Sequence, residues 1–156
     1  EVSTLYMRAQ ELYQQCGDAY GQVEMGYKLA SWLNAQGQIA AAKDSATAAF
    51  EMAQQYGFVQ WEIHLLWLLS DLSLRENDLH GVNLMAYAAV RARDISDDGK
   101  LTKCLRRLEE MLKGTQPHER SAQAQAIVER VLTVWQEPDW ADLMKDLIAE
   151  FAARHA

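Results

Sequence analysis

Histidine, cysteine and carboxylate side chains are the groups in this sequence that could catalyse a reaction or bind a metal. The four histidines, at positions 64, 80, 118 and 155, lack metal-ligand spacing, and the sequence contains no HExxH, no glycine-rich phosphate loop and no GxSxG motif. Glu76 and His80 are four residues apart, but Asn77-Asp78 between them are turn formers, so we do not expect a helical metal pair. We therefore predict a protein that is not an enzyme, with no catalytic residues, no metal site and no cofactor.

The two cysteines, Cys16 and Cys104, lie far apart in the sequence and form no CxxC pair. The sequence therefore indicates neither a Cys/His zinc motif nor a disulfide framework. Cys16 is predicted near a helix C-terminus, where the negative end of the helix dipole does not favour a nucleophilic thiolate. Free thiols are typical of a reducing compartment, and we expect a cytoplasmic location.

The charge of the chain is acidic, with 15 Lys+Arg against 22 Asp+Glu and a net charge of −7. Direct nucleic-acid binding is disfavoured because phosphate recognition needs a basic surface. Residues 1–90 contain 4 of the basic and 10 of the acidic residues, which would attract a basic partner or merely keep the chain soluble. The longest apolar stretch, 63–69, is too short for a bilayer span, and no signal-peptide pattern is present, so no membrane association is expected.

The elements that would position these side chains are helices. The sequence has 23 alanines and 19 leucines but only 8 glycines and 2 prolines, a composition that predicts an all-α fold. Apolar spacing predicts eight helices, at 3–16, 19–36, 39–56, 60–76, 79–95, 100–113, 119–136 and 139–154. Gly17, Gly37 and Gly57 are predicted to end helices with positive φ, and Asn77-Asp78 to form a turn and N-cap. The last helix has one apolar stripe and is expected to dock as a cap.

An internal repeat appears when the sequence is aligned with itself so that Gly17 falls on Gly57. Ala9, Glu11, Gln14 and Gln15 then fall on Ala49, Glu51, Gln54 and Gln55. The small residues of 42–49 likewise align with those of 82–89, which predicts thin, closely packed seams at Ala42, Ala46, Ala49 and at Val82, Ala86, Ala89. The unit is a helix hairpin of about 40 residues, within the range of helical solenoids.

The segment Leu29–Ala42 resembles the turn and flanks of the tetratricopeptide repeat (TPR) family: a Leu-small pair, a hydrophobe, Gly-polar-hydrophobe, then Ala. A poorer copy runs from Leu69-Ser70 to Val82. The unit is longer than the usual TPR unit of about 34 residues. In this it is similar to the TPR-like arrays of large bacterial signalling proteins such as transcriptional activators, sensor-linked cyclases and NTPase switches. The resemblance implies antiparallel hairpins stacked as a superhelical solenoid.

The same resemblance divides the chain into parts of a single TPR-like domain. Residues 1–18 would be an orphan second helix from a preceding repeat, which suggests part of a longer array, and residues 19–57 and 58–97 would be repeats. Residues 98–136 would form a degenerate repeat and 137–156 a capping helix.

In TPR-like arrays the first helix of each hairpin lines the concave groove. Carried over to this sequence, that arrangement predicts partner-binding positions in both repeats: Glu24, Tyr27, Ser31, Asn34, His64, Trp67, Asp71 and Arg75. Core packing is the alternative for Trp67 and Tyr27, and for Trp67 the two interpretations have equal weight. Trp32 and Trp61 are expected to pack between helices.

The resemblance suggests a non-catalytic scaffold that binds a protein or peptide segment in the groove, as the regulatory or interaction module of a larger bacterial signalling or transcription-regulating protein. Two alternatives stay open. One is a sensor domain in which a small molecule or peptide shifts a conformational equilibrium, and the other is a self-association module that forms a homo-oligomer.

Overall fold

The computed structural model describes residues 1–78 and 80–113, except for the side chains of Glu109, Leu112 and Lys113. Over this range the chain is helical throughout and contains no strand. The six helices are α1 (Val2–Gln15), α2 (Ala19–Ala35), α3 (Ile39–Tyr56), α4 (Val59–Arg75), α5 (His80–Asp94) and α6 (Asp98–Lys113). The all-α prediction is confirmed for these residues, and every helix end lies within two residues of its predicted position. The helices predicted at 119–136 and 139–154, with the capping stripe, lie outside the described residues.

The chain divides into two compact units, an N-terminal unit from Glu1 to Asp78 and a second unit from Leu79 to Ala156. The N-terminal unit contains α1 to α4, and the described part of the second contains α5 and α6. The boundary falls inside 58–97, the segment that the sequence predicts as one repeat. None of the six described helices is both long enough and apolar enough to cross a lipid bilayer.

One turn geometry recurs at each helix end from α1 to α5. The left-handed residues are Gly17, Gly37, Gly57, Asn77 and Ser96, with φ of 70°, 74°, 70°, 57° and 56°. In every case the amide of the next residue donates to the carbonyl oxygen five positions earlier, as Asp18 does to Tyr13 at 2.8 Å and Gln38 to Leu33 at 2.9 Å. This bond pattern is the Schellman motif, which satisfies the last free carbonyls of a helix. The glycine predictions at 17, 37 and 57 are confirmed.

The core of the N-terminal unit is built on close helix packing. Helix α2 packs against α1 and α3, α3 packs against α4, and α2 also contacts α4. The predicted alanine seam is buried in α3, where Ala42, Ala46 and Ala49 face the core together with Ala53. Because these side chains are small, Ser45 Oγ can donate to the carbonyl oxygen of Gly26 across the α2–α3 interface at 3.1 Å.

In the second unit, α5 packs against α6, and the predicted seam residues Val82, Ala86 and Ala89 are buried. Cys104 of α6 is also buried, and its removal from water raises the pKa of the thiol to about 11. A thiol with this pKa is almost fully protonated at neutral pH, so it is a poor nucleophile. Cys16, by contrast, is exposed at the end of α1.

Candidate partner-binding face

Helices α2 and α4 lie side by side and run in the same direction. Tyr20 and Phe58, near the start of the two helices, are in ring contact at 5.4 Å, and Tyr27 and His64, further along, are 6.1 Å apart. At the far end, Arg75 Nη1 donates to the main-chain oxygen of Asn34 at 3.2 Å. Contacts therefore join residues that are close to one repeat apart in the sequence. We call the surface that these residues share the α2–α4 face.

The beginning of the α2–α4 face is aromatic. Trp61 is the central ring: its centroid lies 5.9 Å from that of Tyr20, 5.4 Å from Tyr27 and 5.7 Å from His64. These distances and the tilted or edge-on ring planes are those of favourable aromatic pairs. We call Tyr20, Tyr27, Phe58, Trp61 and His64 the aromatic cluster. Tyr20 is 52% exposed and His64 is exposed, so the cluster combines a packed base with rings that a partner can reach.

The far end of the face is polar. Arg75 is exposed, and its bond to Asn34 anchors the last turn of α4 to the C-terminus of α2. Near the same end, Lys43 of α3 forms an ion pair with Glu76, the residue that ends α4. The carboxylate of Glu76, for which the sequence predicts no metal role with His80, is thus engaged by a lysine.

Two buried polar atoms lie on this pair of helices without a protein hydrogen-bond partner among the described residues. They are the indole Nε1 of Trp61, a donor, and the carboxamide Oδ1 of Asn34, an acceptor. A buried polar atom that lacks a partner costs about 1–3 kcal/mol. Because both atoms are buried, this cost belongs to the packing of the unit itself.

The eight predicted binding residues all belong to α2 and α4. The structure brings two pairs of them together, Tyr27 with His64 and Asn34 with Arg75. The others lie at the predicted positions on the two helices and are half-buried: Glu24, Ser31, Trp67 and Asp71. Trp67 is thus neither fully enclosed nor fully open.

The N-terminal unit as a whole is acidic, with 4 Lys or Arg and 10 Asp or Glu residues. Glu24 is paired along α2 with Lys28 at 2.7 Å. The hydrogen bond that the Lys28 ammonium donates to the Glu24 carboxylate raises the pKa of Lys28, so this lysine stays charged at neutral pH. The remaining acidic excess favours a partner with basic residues.

Sequence reasoning missed part of this site. Trp61 was predicted to pack between helices, which is confirmed by its contacts with α2, but those contacts also place it at the centre of the aromatic cluster. Tyr20 and Phe58 were not predicted as site residues. The repeat length could have indicated them, because residues about one repeat apart lie at equivalent positions on α2 and α4. Tyr20 and Phe58 are separated by nearly this length, as are Tyr27 and His64.

No group of three His, Cys, Asp or Glu side chains within the described residues is arranged to hold a metal ion. Comparison of the chain with protein-family models, with curated proteins and with solved structures gave no significant match.

Proposed function

We propose that this chain is a non-catalytic scaffold that binds a protein or peptide segment along the α2–α4 face. The observation that carries the proposal is the aromatic cluster, in which the exposed rings of Tyr20 and His64 lie against Trp61, with the exposed Arg75 at the far end of the same face. Aromatic and arginine side chains contribute most to protein binding energies, and both are present on this face.

The arrangement supports binding of an extended or helical segment rather than a small molecule. Its features are distributed along the length of two parallel helices, from Tyr20 near the start of α2 to Arg75 at the end of α4. A small ligand needs a concave, enclosing pocket, whereas a peptide takes contacts in series. The acidic excess of the unit favours a segment that includes Lys or Arg.

We further propose, from the resemblance to TPR-like arrays, that the helices continue as a solenoid and that the module is a regulatory part of a larger bacterial signalling or transcription-regulating protein. The contacts between residues of α2 and α4 that are close to one repeat apart support this stacking. Such a scaffold would present its face as a semi-rigid surface.

The test begins with selection of binders from a phage-displayed library of random peptides against the full chain. Affinities of the enriched peptides are then measured by fluorescence anisotropy for wild type and for Tyr20→Ala, which removes an exposed ring of the aromatic cluster. We expect about 5–10-fold weaker binding, because the loss of an aromatic contact at an interface costs about 1 kcal/mol or more.

The matched control is Met7→Ala, because Met7 is also a large exposed hydrophobic residue, 55% exposed, but lies on α1 and off the aromatic cluster. It should leave the affinity unchanged. Failure to enrich any peptide, or an equal effect of both substitutions, would contradict the proposed face.

A further inference from the structure

The aromatic cluster continues onto an exposed ring at the end of α3. Tyr56, the last residue of that helix, stacks on Phe58 with ring centroids 5.7 Å apart and ring planes 15° apart. Phe58 in turn meets Tyr20 edge-on at 5.4 Å. Tyr56 is 55% exposed and Tyr20 52%, and outside α1 these two are the exposed large hydrophobic side chains among the described residues. We call Tyr20, Tyr56 and Phe58 the aromatic rim.

The four Lys and Arg residues of the N-terminal unit are all engaged outside the aromatic rim, each by an oxygen atom. The pairs are Arg8 with Glu11, Lys28 with Glu24, Lys43 with Glu76, and Arg75 with the main chain of Asn34. Arg75 and Glu76 lie at the opposite end of α4, about 25 Å from Phe58 along the helix axis. This distance exceeds the Debye length of about 8 Å at physiological salt, so the cations at that end do not repel a positive ligand at the rim.

Charge and ring electrostatics both favour a cation at the aromatic rim. The N-terminal unit has 4 Lys or Arg residues against 10 Asp or Glu. One of these carboxylates, that of Asp18, accepts from the amide of Gly21 at 2.9 Å and caps α2 two residues before Tyr20. The faces of aromatic rings are the negative side of their quadrupole, and they attract a cation that lies over them. An acidic unit that exposes such rings is complementary to a positively charged side chain.

We propose that the aromatic rim binds an arginine side chain of the segment that occupies the α2–α4 face. The inference rests on the proposed function and names the residue that the segment places at the first end of the face. Arginine fits better than lysine, because its guanidinium is planar and weakly hydrated and stacks on a ring while its N–H groups stay available to oxygen atoms. The hydroxyls of Tyr20 and Tyr56 are acceptors of that kind.

The test uses the peptides enriched against the full chain, each synthesised again with one arginine replaced by citrulline. Citrulline keeps the shape of the side chain and removes its charge. We expect one position at which citrulline weakens binding to wild type by about 2–5-fold, the value of a cation–π contact at an exposed site. Lysine at that position should restore only part of the affinity, and equal binding of the lysine and arginine peptides would overturn the preference for a guanidinium.

A double-mutant cycle assigns the arginine to the rim. The variant with both Tyr20→Leu and Tyr56→Leu loses the two exposed rings without a change of charge, so the difference between the arginine and citrulline peptides should disappear. The matched control with both Tyr20→Phe and Tyr56→Phe keeps the rings and should keep the difference. A difference that persists in the leucine variant would overturn the proposal, since the arginine would then be attracted by the net charge of the unit alone.

Two measurements keep the test independent of the stability of the variants. Circular dichroism verifies that the leucine and phenylalanine variants retain the helical fold. On wild type, the δ protons of the bound arginine should shift upfield in NMR spectra, because they would lie over a ring. Unshifted δ protons at every arginine of the bound peptides would overturn the stacked arrangement.

Failure of this inference differs from failure of the proposed function. Some enriched peptides can lose affinity for Tyr20→Ala and yet contain no arginine, or tolerate citrulline at every arginine. That result would overturn the arginine contact and leave the proposed function standing. A selection that enriches no peptide would contradict both.

Discussion

The guanidinium of Arg75 donates to the main-chain oxygen of Asn34 at 3.2 Å, and this bond joins the last turn of α4 to the end of α2. Helix C-termini leave carbonyl oxygens without intrahelical partners and carry partial negative charge. The arginine thus donates to a carbonyl oxygen that has no partner within its own helix. The bond also links α4 to α2 through two residues that are 41 positions apart in the sequence. Both residues were predicted as site residues, and their first role is to hold the site together.

Replacing Arg75 with Ala should lower the free energy of unfolding by about 0.5–1.5 kcal/mol, because one charge-assisted hydrogen bond between helices is lost. Urea unfolding followed by circular dichroism measures the change. Arg8→Ala is the control, since Arg8 forms only an exposed pair with Glu11 within α1, worth about 0–0.5 kcal/mol. Equal effects of the two variants would show that solvent replaces the Arg75–Asn34 bond.

Gly21→Ala should destabilise the protein although alanine is the better helix former. A Cβ at position 21 would lie 2.6 Å from Cγ and Cε1 of the Tyr13 ring. Overpacking of this kind costs about 1–3 kcal/mol and outweighs the gain of about 1 kcal/mol in helix propensity. We expect a net loss of about 1–2 kcal/mol in thermal or urea unfolding.

Two further variants test this explanation of the glycine. In a Tyr13→Ala background the clash is absent, so Gly21→Ala should become stabilising. Gly99→Ala in α6 should not destabilise, because its new Cβ would meet only Asp97 Oδ1, at an ordinary 3.5 Å. If Gly21→Ala still lowers the free energy of unfolding in the Tyr13→Ala background, the clash with the Tyr13 ring is not the cause of the destabilisation.

The recurring left-handed turn predicts opposite effects at two of its positions. Gly37→Ala should cost about 1–2 kcal/mol, because an L side chain is strained at φ of 74° and nothing else lies within 4 Å of the new Cβ. Ser96→Gly relieves the same strain at φ of 56° and should raise stability by about 0.5–1 kcal/mol. Unfolding curves of both variants measure the signs, and a stabilising Gly37→Ala would contradict the turn geometry.

The helices were predictable because the residues at and near each helix end determine where it stops. Gly17, Gly37 and Gly57 have the conformational freedom that the turn needs, and apolar spacing fixes which residues lie between them. Ser96 shows the limit: serine is an ordinary loop residue, so its left-handed φ followed from the turn geometry and not from its type. The buried alanine seams were likewise predictable, since small residues at helical spacing suit close packing.

The candidate site was less predictable because it depends on the offset between two helices. The resemblance placed Tyr27 and His64 on a common face, but it assigned Trp61 to packing alone. The environment of the Trp61 indole depends on residues of α2 that lie about one repeat away in the sequence. Sequence spacing alone does not give the distances between these residues and the indole.

The thiol of Cys104 should make the stability of the protein depend on pH in the alkaline range. Burial raises its pKa from 9.0 to about 11, so between these values the unfolded chain releases a proton that the folded chain retains. Stability is therefore fully present below pH 9 and falls as the pH rises through 11. Relative to Cys104→Ala, which removes the titrating group, wild type should lose about 1–2 kcal/mol of unfolding free energy between about pH 8 and pH 11.

The difference between the urea unfolding curves of wild type and Cys104→Ala isolates the thiol from tyrosines and lysines that titrate in the same range. Two results would show instead that the thiol is accessible to water in the folded chain. One is a parallel pH dependence of the two proteins, since a solvated thiol has the same pKa folded and unfolded and contributes no slope. The other is rapid maleimide labelling of Cys104 near neutral pH in a Cys16→Ser background, because a buried, protonated thiol reacts slowly.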